Sequence, residues 1–322
     1  GFGANVFVPT MDVTSFINQN AQVQTRGQFR LSFEGGYKYQ GKLMFQYYNT
    51  DLENDTSPSL IFDGAQASVR NILHIFSLTY WTGYYGILGE GKHYKGHLYH
   101  MQPGFDYNGY LPIMGTGLVL SGEYYDLLNA QLFVYQRYGS SNIDSFDLVF
   151  GYNKNNVNFK LFSGMSGSAY RLGGQLIFQG TDVELYCTIG VPSIRPGSQF
   201  DFNDFYFLLE EWFKMKNWNL ILSVFTRPEV HYNYIQRDYV ATNEQNDIDF
   251  NFDLNYAPEA SYVSGGTELN ILTSSYEDLG IYLSPYISIY TSGLLWKIKL
   301  NFNFVSQTRD FITAYLNISA SF

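Results

Sequence analysis

Along most of the chain, apolar and polar residues alternate with a period of two, in segments close to the roughly ten residues that a bilayer-crossing strand needs. Between positions 247 and 256, Ile248, Phe250, Phe252, Leu254 and Tyr256 fall on one side, and Asp247, Asp249, Asn251, Asp253 and Asn255 on the other. Over 280–290, Ile281, Leu283, Ile287 and Ile289 alternate with Gly280, Tyr282, Ser284, Tyr286, Ser288 and Tyr290. Over 294–304, Leu294, Trp296, Ile298, Leu300, Phe302 and Phe304 alternate with Lys297, Lys299, Asn301 and Asn303. The last segment sets Ile312, Ala314, Leu316, Ile318, Ala320 and Phe322 against Thr313, Tyr315, Asn317, Ser319 and Ser321. A helix would scatter each of these sets around its axis; a strand puts each on one face. Earlier segments are noisier. Phe29, Leu31 and Phe33 oppose Gln28, Arg30, Ser32 and Glu34, and Leu43, Phe45 and Tyr47 oppose Lys42, Met44 and Gln46. The same rule predicts strands over 59–70, 72–85, 115–125, 128–138, 144–153, 155–164, 168–179, 181–191, 202–213, 216–226 and 261–272.

The links between segments alternate between short and long. Arg70-Asn71, Asn153–Asn155, Gln179–Asp182, Lys214–Asn217 and Ala257–Ala260 are short; Thr50–Pro58, Gly86–Met114, Val191–Asp201 and Arg227–Asn246 are long. The pattern predicts an all-β fold: a transmembrane, antiparallel, up-and-down β-barrel of about 16–18 strands. An open sheet in hydrocarbon leaves backbone groups unpaired at its edges, and closure removes every edge. Residues 25–322 form the barrel in this reading, and 1–24 are an N-terminal strand around Val6, Val8 and Thr10 or a small segment inside the lumen.

Composition agrees with that reading. Charged residues are 15% of the 322, well below the quarter usual in soluble domains, while aromatics are 19%. Mean hydropathy is −0.16, and no run approaches the roughly 20 apolar residues of a spanning helix. A net charge of −10 argues against a nucleic-acid partner. Cys187 has no second cysteine to pair with and reads as a lipid-facing or packed residue. The chain begins at Gly1 without a basic, then apolar, leader, as expected of a mature chain or a trimmed one.

The terminal strand ends in Phe322, and this resembles the C-terminal signal that the barrel-assembly machinery reads in outer-membrane barrels. Together with the alternation it makes the chain resemble the porin-like class of bacterial outer-membrane barrels. Gly27–Leu52, with Glu34-Gly35-Gly36-Tyr37-Lys38-Tyr39-Gln40-Gly41-Lys42-Leu43, is similar to porin-like barrels of spirochaetes. The resemblance implies an outer-membrane location, lipid contacts, small solutes and ions as cargo, and a homo-oligomer or partner proteins.

Barrels of 16–18 strands leave an aqueous channel. The expected function is passive diffusion of small hydrophilic solutes and ions with a mild cation preference, and Gly86–Met114 is either a constriction folded inward or a cover over the mouth. The register turns Arg30, Arg70, Glu123, Arg137, Lys160, Arg171, Glu184, Asp247, Asp249, Asp253, Glu268, Lys297 and Lys299 toward the lumen. They would set up a transverse field or pair into a network that stiffens the wall. Glu210 and Glu211 are adjacent, so a straight strand turns one of them to lipid, unless it sits near the boundary or the strand bulges. Two other functions fit a barrel: a plugged transporter for hydrophobic compounds, with a lateral gap at Pro285 and Gly265-Gly266, and an anchor for a partner protein docking on loops such as Val230–Tyr239.

Catalytic signals are lacking. His93, His97 and His100 share the long loop without a helix or carboxylate to complete a metal set, and read as exposed loop residues; His74 and His231 stand alone. No nucleophile elbow, P-loop or dinucleotide fingerprint occurs, and Gly164–Ser168 reads as a turn. No cofactor, metal or enzymatic activity is expected.

Overall fold

The computed structural model describes residues 5–49, 51–54, 59–94, 109–199, 202–226, 228, 230–233, 238–241, 248–273, 279–305 and 310–321. Its strands are β1 (Val6–Ile17), β2 (Val23–Gly36), β3 (Tyr39–Asn49), β4 (Ser59–Ile72), β5 (Phe76–Leu88), β6 (Leu111–Tyr124), β7 (Leu128–Arg137), β8 (Ser145–Lys154), β9 (Val157–Ser166), β10 (Ala169–Gln179), β11 (Val183–Ile194), β12 (Tyr206–Lys214), β13 (Trp218–Thr226), β14 (Val230–Asn233), β15 (Asp238–Ala241), β16 (Ile248–Tyr256), β17 (Val263–Thr273), β18 (Gly280–Thr291), β19 (Leu294–Asn303) and β20 (Ile312–Ser321). Eighteen of them form one antiparallel sheet in chain order. It closes where β1 pairs with both β2 and β20, from Thr10↔Ser321 to Ile17↔Ala314. The remaining two, β14 and β15, form a hairpin inside the long link after β13.

The predicted alternation is the wall's inside–outside pattern. Leu118, Leu120, Leu132, Phe146, Leu148 and Phe150 point out and are exposed, as a lipid-facing band requires. Between them Val119, Phe133, Asp147 and Val149 point in and are buried. Several short turns rest on left-handed residues: Ser292 (φ 44°) with Gly293 (φ 86°), and Tyr125 (φ 49°) with Asp126 (φ 56°), the geometry that matches strand twist in tight hairpins.

One local expectation needs correction, and two points that the sequence left open are decided in part. The β4–β5 turn is at Leu73–Ile75, not Arg70-Asn71, because Asn71, Leu73 and His74 take positive φ (57°, 54° and 63°) and the strand runs on past the polar pair. The wall does not part at Gly265-Gly266, where β17 and β18 pair without interruption from Val263↔Ile289 to Leu272↔Gly280. On the other side, Pro285 has no N–H to give. The β18–β19 ladder omits Ser284 and Pro285, then resumes at Tyr286↔Lys299 in unchanged register. Finally, β12 has no bulge. Glu210 points in and is fully buried, whereas Glu211 points out beside Leu185 and Leu222.

Candidate functional site

After β5 the chain turns into the barrel. The backbone N–H groups of Lys92, His93 and Tyr94 all donate to the Glu210 carboxylate, at 3.0, 2.9 and 2.9 Å. Three donors on one buried carboxylate satisfy a charge that would otherwise be costly in this position. The approach depends on Gly91, since a Cβ there would lie 2.4 Å from Glu210 Oε1 and 2.5 Å from Leu208 Cδ2. Neighbouring carbonyls are held as well: Gln175 Nε2 donates to Glu90 O at 2.8 Å, and Thr188 Oγ1 to Gly89 O at 3.1 Å.

Side chains of the same segment extend the latch. Lys92 Nζ lies 3.0 Å from Glu184, which also holds Lys214 at 2.9 Å. Both ammonium groups sit over the Trp212 ring, at 4.8 and 4.3 Å from its centroid. His93 packs edge-on against Trp212 with centroids 4.7 Å apart. The expectation of an exposed loop histidine is therefore corrected for His93; His97 and His100 lie outside the described residues. The Tyr94 hydroxyl donates to Asp249 on β16, and its ring packs on Phe225.

The returning end of the loop is seated by shape. Tyr110 stacks on Phe162 (centroids 5.5 Å, 14° between planes) and its hydroxyl donates to Val191 O at 3.1 Å. Its ring fills space that the missing side chains of Gly173 and Gly190 leave open, where a Cβ would meet it at 3.1 and 2.4 Å. Tyr94 and Tyr110 join Trp81, Ile113, Phe133, Tyr135, Tyr206 and Leu208 in an apolar core inside the barrel. Of the two readings of Gly86–Met114, the described parts, Gly89–Tyr94 and Gly109-Tyr110, lie inside.

The charged residues anticipated for the lumen fall into two groups. In the first, each has a partner. Arg30 Nε donates to Gln46 at 3.3 Å, and Arg137 pairs with Asp144 at 3.1 Å. Arg171 grips Asp147 with two nitrogens, at 2.6 and 2.7 Å, and donates to Ser166 as well. Glu184 and Asp249 are tied to the loop, and Asn270 also donates to Asp249. Asp253 accepts the Tyr286 hydroxyl at 2.5 Å, while Glu268 lies between Lys299 at 2.8 Å and Lys297 at 3.9 Å. In the second group are Arg70, Glu123 and Lys160, whose side chains make no hydrogen bond or ion pair among the described residues. Asp247 and Phe322 lie outside the described residues.

Arg70 and Glu123 border a polar cavity of about 530 Å³ on the inner side of β2–β7, at the end of the barrel with the short turns. Lys42, also without a side-chain partner, Glu34, Gln66 and Gln131 share its lining. Glu210, Lys92, Tyr94 and Asp147 were not anticipated as interior partners; only the adjacent acidic pair at Glu210 hinted at one of them. Cys187 points outward, half-buried. Among the described residues, no group of three or more His, Cys, Asp or Glu gathers as a metal site.

No protein-family model matches the sequence, and neither does any curated protein. Solved structures do. A triple mutant of the Rhodopseudomonas blastica porin aligns over 99% of this chain and 100% of its own, at 8% identity and a TM-score of 0.55. The fold is that of the porin-like outer-membrane barrels. The Pseudomonas aeruginosa protein OpdK, solved with vanillate, aligns over 100% of both chains at 10% identity and a TM-score of 0.57, and another OpdK structure at 12% and 0.56. These neighbours are porins and outer-membrane proteins rather than enzymes. At such identities the porin-like likeness is one of architecture, with no functional residue to transfer.

Proposed function

We propose that this porin-like barrel works as a passive diffusion channel for small hydrophilic solutes and ions in a bacterial outer membrane. The observation that carries the reading is the asymmetric interior: the described ends of the loop after β5 are pinned to one side, over β9–β13 and β16, and a polar cavity lies against β2–β7. A segment fixed to the wall narrows a wide barrel while leaving a path beside it. The net charge of −10 supports a mild cation preference, because acidic walls raise the local concentration of cations. Lipids on the outward face, the assembly machinery during insertion and further copies of the chain are the partners this reading implies. The unbroken β17–β18 ladder removes Gly265-Gly266 as a basis for a lateral gap, and at Pro285 the β18–β19 pairing lapses over two residues only and resumes in the same register.

The test is conductance of the purified protein in a planar bilayer under a salt gradient. Discrete, sustained openings whose reversal potential favours cations are expected. A silent bilayer containing demonstrably inserted protein would contradict the channel reading, and a reversal potential favouring anions would contradict the preference.

A further inference from the structure

Elsewhere in the barrel, inward charges are mostly consumed by neighbours, but around the β2–β7 cavity they are not. Lys42 on β3 and Arg70 on β4 face it without a side-chain partner among the described residues, and so does Glu123 on β6. No ion pair joins the two cations to Glu123, although all three line one cavity. The strands carrying Arg70 and Glu123 are separated by β5 alone. Two strand spacings put their backbones ~10 Å apart, too far for direct contact unless both side chains lean together. The surface between them is neutral and hydrogen-bonding: Gln66, Ser68, Ser77, Thr79, Ser121 and Gln131. Glu34, directly across from Lys42 in the β2–β3 register, is a second carboxylate at the margin of the cavity and accepts a hydrogen bond from Gln40, which leaves Arg70 and Glu123 as the opposed pair.

We propose that this vestibule is a binding site for small zwitterionic solutes of amino-acid or dipeptide size; the proposal rests on the channel reading and names one class of its cargo. A zwitterion sets its carboxylate against the Lys42–Arg70 side and its ammonium against Glu123, while its middle meets the amides and hydroxyls. A simple anion or cation satisfies one wall and is repelled by the other. A neutral sugar finds hydrogen bonds only. The cavity is wet, so each contact is a solvated, modest one. That suits a site which must release its solute to let it pass.

The experiment uses the full protein reconstituted in liposomes and compares initial uptake of radiolabelled glycylglycine and arabinose, both at low concentration. Glycylglycine is expected to enter ~5-fold faster than arabinose, the ratio that a weak ion pair contributes. R70Q and E123Q should each bring the ratio toward one, and the double exchange R70E/E123R should restore it, because a zwitterion can turn around. The restoration separates a binding role from damage to the wall. Equal entry of both probes into wild-type liposomes would overturn the proposal while leaving the channel intact, as would a preference that survives R70Q and E123Q. If neither probe enters, the channel reading fails, and this inference fails with it.

Discussion

The two sides of the barrel interior treat charge in opposite ways. Over β8–β13 and β16, Glu184, Glu210, Asp147 and Asp249 each hold two or more polar groups, several supplied by a loop more than 90 residues distant in sequence from Glu184. Around the cavity on β3–β6, the side chains of Lys42, Arg70 and Glu123 hold none among the described residues, although Arg30 on β2 and Arg137 on β7 are engaged at its margins. The difference follows from what lies against each wall. Where the loop and its aromatic core exclude water, an unpaired charge would be costly, so these four carboxylates are matched; Lys160 on β9 is the exception, with no side-chain partner among the described residues. Where the wall borders a cavity, water solvates the charges and leaves them free for a passing solute. One barrel thus has a side packed by the loop and a side that borders a cavity, and in the proposed channel the second side is the path.

The largest effect that would break this division is expected at Arg171. Arg171→Leu leaves Asp147 buried with only the Tyr135 hydroxyl, which should cost about 3–5 kcal/mol. The denaturant midpoint of the reconstituted barrel measures it, with conductance of the surviving folded protein little altered. Next comes Gly91→Val, which forces a side chain onto Glu210 and Leu208. A destabilisation of ~1–3 kcal/mol is expected, together with noisier and larger conductance steps as the loop leaves its seat. Lys299→Gln sharpens the comparison at the far wall. It leaves Glu268 with Lys297 at 3.9 Å, so cation permeability over anion permeability should rise ~2-fold, read from the reversal potential.

The smallest effect is one of pH. The hydrogen bond it donates to the Glu184 carboxylate holds the Lys92 ammonium above its ordinary 10.5. While Glu184 is ionised, the contact supports the loop fully below the ordinary lysine value and is lost as pH rises through the raised one. Conductance steps should be constant across neutral pH, with loop noise growing only in strong alkali. Growth of that noise between pH 7 and 9 would place the sensitive group elsewhere.

Most of the wall was legible in the sequence because lipid imposes one rule on every strand. The alternation of Ile248 to Tyr256, or of Leu294 to Phe302, reads directly as β16 and β19. The β4–β5 turn was misplaced because Ile72, Leu73 and Ile75 are apolar and continue the strand pattern, while the decisive signal is backbone φ. The β14–β15 hairpin escaped notice since it stands outside the wall and has no lipid face to mark it. The interior was harder. Alternation says which residues point inward, but partners such as Glu210 and Tyr94 are 116 residues apart, and nothing periodic links them. Adjacent Glu210 and Glu211 were the one visible anomaly. The inward one latches the loop, and the outward one has no structural account.

The central claim is that a buried carboxylate pins the loop and so defines the path beside it. Glu210→Ala removes the acceptor for three backbone N–H groups and leaves the wall otherwise as it is. Its single-channel conductance, recorded beside the wild type under identical salt, is the direct measurement. The account predicts larger, less steady openings in the variant. Steps identical in size and stability to those of the wild type would contradict it, since the loop would then be held, or the path defined, by something other than Glu210.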